Sequence, residues 1–102
     1  MKKTAILALL VLLAATAAFA GDGLIHKNAG RQQVKDSYIV IFHAGDKNPA
    51  ERANELARTH GGKAKRVYSH ALRGAHFEMS EGQAQGMANN PHVALVVQDS
   101  LA

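Results

Sequence analysis

Apolar and polar positions along residues 37–99 follow two different periods. Four segments show the alternation or the continuous apolar run expected of strands, at residues 37–42, 63–69, 75–79 and 93–97. Two further segments, residues 49–60 and 80–88, place small and aliphatic side chains at the three- and four-residue spacing of a helix. The pattern therefore predicts the order strand, helix, strand, strand, helix, strand.

The first strand is apolar on both of its faces. Ile39 and Ile41 point to one side, whereas Tyr38, Val40 and Phe42 point to the other. This pattern is typical of a central strand. If helices cover a single side of the sheet, apolar side chains remain on the other side, and we expect a partner to dock there.

Both predicted helices carry start and stop signals. Asn48 is suited to cap the first helix and Pro49 to occupy its first position, while Gly61 follows its last turn. Ser80 and Gln83 form the capping-box pattern at the start of the second helix. Asn89-Asn90-Pro91 ends the second helix, so these signals set the boundaries of both helices.

The order of the elements restricts the fold. Two helices that separate four strands in this way close most simply as one antiparallel sheet with both helices on one face. We therefore expect an α+β fold of the ferredoxin-like βαββαβ type, with a four-stranded antiparallel sheet. The first and last of these strands become neighbours in that arrangement.

The first 20 residues have the organisation of a secretory signal. Two lysines precede an apolar run over residues 5–15, and Ala18-Phe19-Ala20 matches a small-x-small cleavage pattern. A membrane anchor is the alternative, but the run is shorter than the roughly 20 residues that span a bilayer. Cleavage after Ala20 predicts a secreted or periplasmic product without a membrane segment.

The mature chain is expected to form one domain. Removal of 20 of the 102 residues leaves 82, which is enough for a single small core. Residues 21–35 are polar and rich in glycine, so we expect a flexible lead-in before a domain over residues 36–102.

Composition excludes several classes of function. The chain has no cysteine, so disulfides, lipoprotein attachment, thiol catalysis and thiolate zinc sites are excluded. The net charge of +4 falls to +2 without the two signal lysines, and the basic residues are interleaved with acidic ones. Nucleic-acid binders cluster their basic residues in a patch, so a nucleic-acid partner is not expected. We expect the free chain to be a monomer.

The spacing of the polar residues predicts neither catalysis nor a cofactor. Ser69 and His70 are adjacent, but a catalytic triad requires nucleophile, base and acid to meet in space beside an oxyanion site. The chain is therefore predicted not to be an enzyme. Six histidines raise metal binding as an alternative, although they lack a compact ligand spacing. They are His26, His43, His60, His70, His76 and His92.

A series of short motifs runs through residues 36–99. They are Tyr38-Ile39-Val40-Ile41-Phe42, His60-Gly61-Gly62, Tyr68-Ser69-His70-Ala71-Leu72-Arg73-Gly74, Met79-Ser80, Gln83-Ala84, Pro91-His92-Val93 and Val97-Gln98-Asp99. In order and spacing this string resembles the peptidase inhibitor I9 domain, the prosegment of subtilisin-like and proteinase K-like serine proteases. The whole string is far more specific than any one of its pieces.

The resemblance implies a ferredoxin-like domain that helps such a protease to fold and inhibits it after cleavage. In that family the open sheet face packs on two surface helices of the protease, and the residues after the last strand lie along the substrate cleft. Because no protease domain follows here, we expect a free-standing inhibitor of a subtilisin-like serine protease that acts in trans.

The resemblance also assigns residues to the interface. The C-terminal tail would occupy the cleft as a product mimic and consists of Asp99, Ser100, Leu101 and Ala102. The connection between the second and third predicted strands would contact the protease and consists of Ser69, His70, Ala71, Leu72 and Arg73. This connection contains no acidic residue, whereas several family members carry acids there that cap the surface helices of the protease.

Two alternatives stay open beside inhibition. In the first, the chain is a folding chaperone that acts in trans on a subtilisin-like protease, with little durable inhibition. In the second, it is a non-inhibitory ferredoxin-like module that binds a metal or another partner.

Overall fold

The computed structural model describes residues 22–45, 47–70 and 72–101. The predicted signal segment, Gly21, Asp46, Ala71 and Ala102 lie outside these ranges. Seven elements follow one another along the described chain. They are β1 (Ile25–His26), β2 (Gln33–Phe42), α1 (Pro49–His60), β3 (Lys63–Tyr68), β4 (Gly74–Glu78), α2 (Glu81–Ala88) and β5 (Val93–Ser100).

The strands form one mixed sheet of five strands in the order β1-β5-β2-β4-β3. The pairs β5–β2, β2–β4 and β4–β3 are antiparallel, as the hydrophobic pattern predicts, whereas β1 pairs with β5 in parallel. The expectation of a four-stranded, wholly antiparallel sheet is therefore wrong. A strand of two residues, such as β1, is too short to show a hydrophobic period in the sequence. It forms because Ile25 packs against the core and pairs with Val96.

The polar segment at residues 21–35, expected to be a flexible lead-in, contributes to two strands. It supplies all of β1 and the first residues of β2, where Gln33 pairs with Ser100. Gly23 also binds α2, since its N–H donates to the carbonyl of Ala88 over 3.2 Å. The register of β2 then shifts before Tyr38. These contacts join sequentially distant residues, so local composition gives no sign of them.

The capping signals predicted for both helices are confirmed. The Asn48 side chain accepts a hydrogen bond from the Glu51 N–H at 2.9 Å, and Pro49 begins α1. Gly61, with a φ of 81°, follows the helix in a conformation that suits glycine. Ser80 and Gln83 form the reciprocal capping box at the start of α2.

A single core lies between the helices and one face of the sheet. Tyr38, Val40 and Phe42 of β2 are buried in the same cluster as Leu56 of α1 and Met87 of α2. Both helices thus cover the face that carries Tyr38. Leu56 is fully buried, and such a side chain stabilises a fold by about 1.5–3 kcal/mol. Within the described ranges, no helix is long and apolar enough to cross a membrane.

Candidate functional site

The sheet face opposite the helices is the candidate site, and we call it the open face. Residues that lie directly opposite one another in a sheet share a face, so the registers around Ile39 and Ile41 define its members. They are His26 of β1, Ser37, Ile39 and Ile41 of β2, Lys63, Arg66 and Tyr68 of β3, Gly74, His76 and Glu78 of β4, and Leu95, Val97 and Asp99 of β5.

Four aliphatic side chains form the centre of the open face. Ile39 lies opposite Val97, and Ile41 lies opposite Leu95, so the four make a contiguous patch across β2 and β5. Each is only partly buried, because both helices lie on the other side of the sheet. The sequence predicted that one apolar face of β2 would stay uncovered, and the structure identifies it as the face of Ile39.

Next to this patch, three polar side chains form a hydrogen-bonded row across three strands. The hydroxyl oxygen of Ser37 lies 2.6 Å from Nε2 of His76 and 3.1 Å from Oδ2 of Asp99. A hydroxyl has one proton, so it donates to the Asp99 carboxylate when Nε2 of His76 donates to it. Ser37 is buried although it faces outward. The row therefore satisfies the hydroxyl of Ser37, and the Asp99 carboxylate also accepts from the N–H of Ser100 at 2.9 Å.

This row is not arranged as a catalytic triad. In a triad the imidazole lies between the hydroxyl and the carboxylate and accepts the proton of the nucleophile. Here the hydroxyl of Ser37 lies between His76 and Asp99. Sequence reasoning missed the row, because its three residues are brought together only by the strand registers.

The residues expected to enter a protease cleft are partly held in the sheet. Asp99 and Ser100 end β5, and Nδ2 of Asn28 donates to the Ser100 hydroxyl at 2.9 Å. The N–H of Leu101 donates to the carbonyl of Gln32 over 2.9 Å, while 55% of Leu101 is exposed. The tail thus lies along the segment before β2, and Ala102 is outside the described residues.

The connection between β3 and β4 forms an apolar groove. A depression of about 360 Å³ is lined by Val67, Tyr68, Ser69, His70 and Leu72. Val67 and Leu72 are 39% and 40% exposed, which is high for aliphatic side chains. The groove joins the open face through Tyr68, which lies opposite Gly74 in the row that contains Ile41.

Arg73 ends this connection and is directed toward the start of α1. Its Nη2 donates to the carbonyl of Lys47 at 2.7 Å, and its own carbonyl accepts from the N–H of Phe42. Ser69 and His70 remain exposed, and Ala71 lies outside the described residues. The structure thus brings Ser69, His70 and Leu72 to the groove and leaves Arg73 anchored beside it.

Three groups have shifted pKa values, and all three lie away from the aliphatic patch of the open face. Hydrogen bonds from Lys47 and then Arg52 lower the pKa of the Glu55 carboxyl to about 2. The hydrogen bond from His26, at 2.5 Å, lowers the pKa of Asp22, and burial raises the pKa of Tyr38. Among residues 22–45, 47–70 and 72–101, no group of three or more histidines and acids could hold a metal ion.

Comparison with known proteins yields no relative. A scan against protein-family models gives no match for this chain, and a search of curated proteins gives none either.

Proposed function

We propose that the mature chain is a secreted or periplasmic inhibitor of subtilisin-like serine proteases that docks by its open face. The observation that carries this proposal is the aliphatic patch of Ile39, Ile41, Leu95 and Val97 on the helix-free side of the sheet. The resemblance of the chain to the peptidase inhibitor I9 domain indicates the class of partner, a subtilisin-like serine protease. In this proposal β2 to β5 with α1 and α2 form the ferredoxin-like unit, and β1 is an addition to its edge.

The dimensions of the open face suit a protease surface made of helices. Neighbouring strands lie about 4.8 Å apart, so five strands span about 19 Å. Two helices packed side by side, with axes about 8–10 Å apart, cover a similar width. The aliphatic patch at the centre would then contact both helices.

The polar row lowers the cost of covering this face. A polar group that loses water without gaining a partner costs about 1–3 kcal/mol. The Ser37 hydroxyl makes both of its hydrogen bonds within the row, so a protease that covers it need not supply one. The favourable free energy of burying the neighbouring aliphatic side chains is then offset less by lost hydrogen bonds.

The tail would occupy the cleft only after it leaves the sheet. A chain bound as a substrate uses its backbone groups to pair with strands of the protease. The Leu101 N–H that would do so is bonded to Gln32, and Ser100 is bonded to Asn28. We propose that docking of the open face precedes release of residues 100–102 into the cleft as a product mimic, while Asp99 keeps its hydrogen bond from Ser37. The connection at residues 69–73 would lie against the protease surface.

The docking part of this proposal is tested by Leu95→Asp, which puts a charge in the aliphatic patch. We expect the variant to lose most inhibition of every subtilisin-like protease that the wild-type chain inhibits. Ala50→Asp is the control, because Ala50 is exposed on α1 and lies outside the core. Circular dichroism establishes that both variants fold. Equal inhibition by the two folded variants would contradict docking through the open face.

The same face suits the alternative of a folding chaperone that acts in trans. A chaperone raises the yield of active protease on refolding but leaves the refolded enzyme active. An inhibitor at equimolar concentration suppresses the activity of an enzyme that is already folded. Measuring both quantities with the same protease separates the two functions.

A further inference from the structure

The open face carries uncompensated positive charge along one side. Lys63, Lys65 and Arg66 all lie on β3 and are exposed, and we call them the basic edge. Lys65 is paired with Glu78, with its Nζ 3.6 Å from a carboxylate oxygen. Within the described part of the chain, Lys63 and Arg66 form no ion pair.

The acids near the opposite side of the face are already engaged. The Asp99 carboxylate accepts from Ser37, and the Asp22 carboxylate is bonded to His26 beside β5. Neither side chain lies near β3, which is at the far edge of the sheet. The face therefore presents its unpaired cations on one side only.

Arg66 belongs to the same row as the centre of the aliphatic patch. It lies opposite His76, which lies opposite Ile39 on the next strand. Two strand spacings place it about 10 Å from Ile39. A partner that covers Ile39 and Val97 therefore covers Arg66 or borders it.

A guanidinium at such a position favours a partner of opposite charge. Covering it without a counter-charge costs free energy because its water is lost. A carboxylate opposite it removes that cost and also accelerates association by electrostatic attraction. A neutral or basic partner surface would bind less tightly, because it leaves the guanidinium without a counter-charge.

We infer that the partner surface presents carboxylates opposite the basic edge. This inference rests on the proposed function, and it specifies the target as a subtilisin-like protease whose docking surface is acidic where it meets β3. In the connection at residues 69–73, the exposed side chain of Leu72 would then supply an apolar contact with the same protease.

The test is the rate of association of the mature chain, residues 21–102, with each protease that it inhibits. We expect Arg66→Glu to lower the association rate constant about tenfold at low ionic strength. The loss should shrink when the ionic strength is raised to about 0.5 M, because salt screens the interaction. Arg58→Glu is the matched control, since Arg58 is exposed on α1, outside the open face. Its effect should stay within about twofold.

Three results would overturn the inference while leaving inhibition established. Equal effects of Arg66→Glu and Arg58→Glu would show that the basic edge does not meet the protease. Self-association of Arg66→Glu on size-exclusion chromatography, with an unchanged association rate, would show that the charge only prevents pairing at the edge strand. Binding of duplex DNA that is lost in Arg66→Glu would assign the basic edge to nucleic acid. If the wild-type chain inhibits no protease, the proposed function itself fails, and the inference fails with it.

Discussion

Ser37 on β2 and His76 on β4 are joined by a contact of 2.6 Å between Oγ and Nε2 on the side of the sheet away from the helices. Asp99 extends this contact to β5, so that one hydroxyl links three strands. The row ties the end of β5, where the proposed cleft tail begins, to the centre of the sheet.

Ser37→Ala tests this link. Removal of the hydroxyl leaves an imidazole nitrogen and a carboxylate oxygen without their partner, so we expect the free energy of unfolding to fall by about 1–3 kcal/mol. Chemical denaturation measures it. Ser69→Ala, at an exposed position in the connection, is the matched control and should change stability by less than about 0.5 kcal/mol. Equal losses in the two variants would show that the row does not stabilise the sheet.

Deletion of residues 101–102 tests the cleft tail. Leu101 is exposed and lies beyond the end of β5, so the shortened chain should stay folded and lose only the hydrogen bond to the Gln32 carbonyl, about 0.5–1.5 kcal/mol. Inhibition should weaken by at least about tenfold if the tail fills subsites of the cleft, which corresponds to about 1.4 kcal/mol. An unchanged inhibition constant would mean that docking of the open face acts alone.

Asn28→Ala tests whether the sheet restrains the tail. The variant loses the hydrogen bond to the Ser100 hydroxyl, which contributes about 0.5–1.5 kcal/mol to holding the tail in place. We expect faster amide exchange at Leu101 and an inhibition constant about two- to tenfold lower, because less free energy is needed to release the tail. Asn54→Ala, on the exposed side of α1, should alter neither quantity. Weaker inhibition by Asn28→Ala would contradict a restraining role.

Glu55 gives the fold a pH dependence whose sign follows from its lowered pKa. Its pKa is about 2 in the folded chain, below the ordinary value of 4.5 that it regains on unfolding. The unfolded state therefore binds the proton more tightly, and the stabilisation is present above pH 4.5 and is lost as the pH falls toward 2. Glu55→Gln should unfold at a lower temperature than wild type at pH 7 and at nearly the same temperature at pH 2. A constant difference across this range would rule out ionic pairing with Lys47 and Arg52.

The sequence predicted the elements with local signals and missed those that depend on pairing. Asn48 and Ser80 identify the helix starts because capping involves residues only three apart. Ile25–His26 has no comparable signal, since its strand character comes from Val96 and Val97 far along the chain. The polar residues before Tyr38 likewise join β2 only through β5.

The candidate site was predictable in outline. Alternation along β2 separates Ile39 and Ile41 from Tyr38, Val40 and Phe42, but both sets are apolar, so periodicity leaves undecided which set the helices cover. Packing decides it, because the aromatic side chains fill the core with Leu56. The row of Ser37, His76 and Asp99 required the registers of three strands, which a linear pattern does not contain.

The most direct test of the proposed function is a titration of subtilisin-like proteases with the mature wild-type chain. Residual activity is measured on a chromogenic peptide after incubation, over a range from well below equimolar to a micromolar excess. We predict reversible inhibition of at least one member of the panel, with activity falling steadily as the ratio approaches equimolar. Full activity of every protease at micromolar concentrations of the folded chain would contradict the proposal.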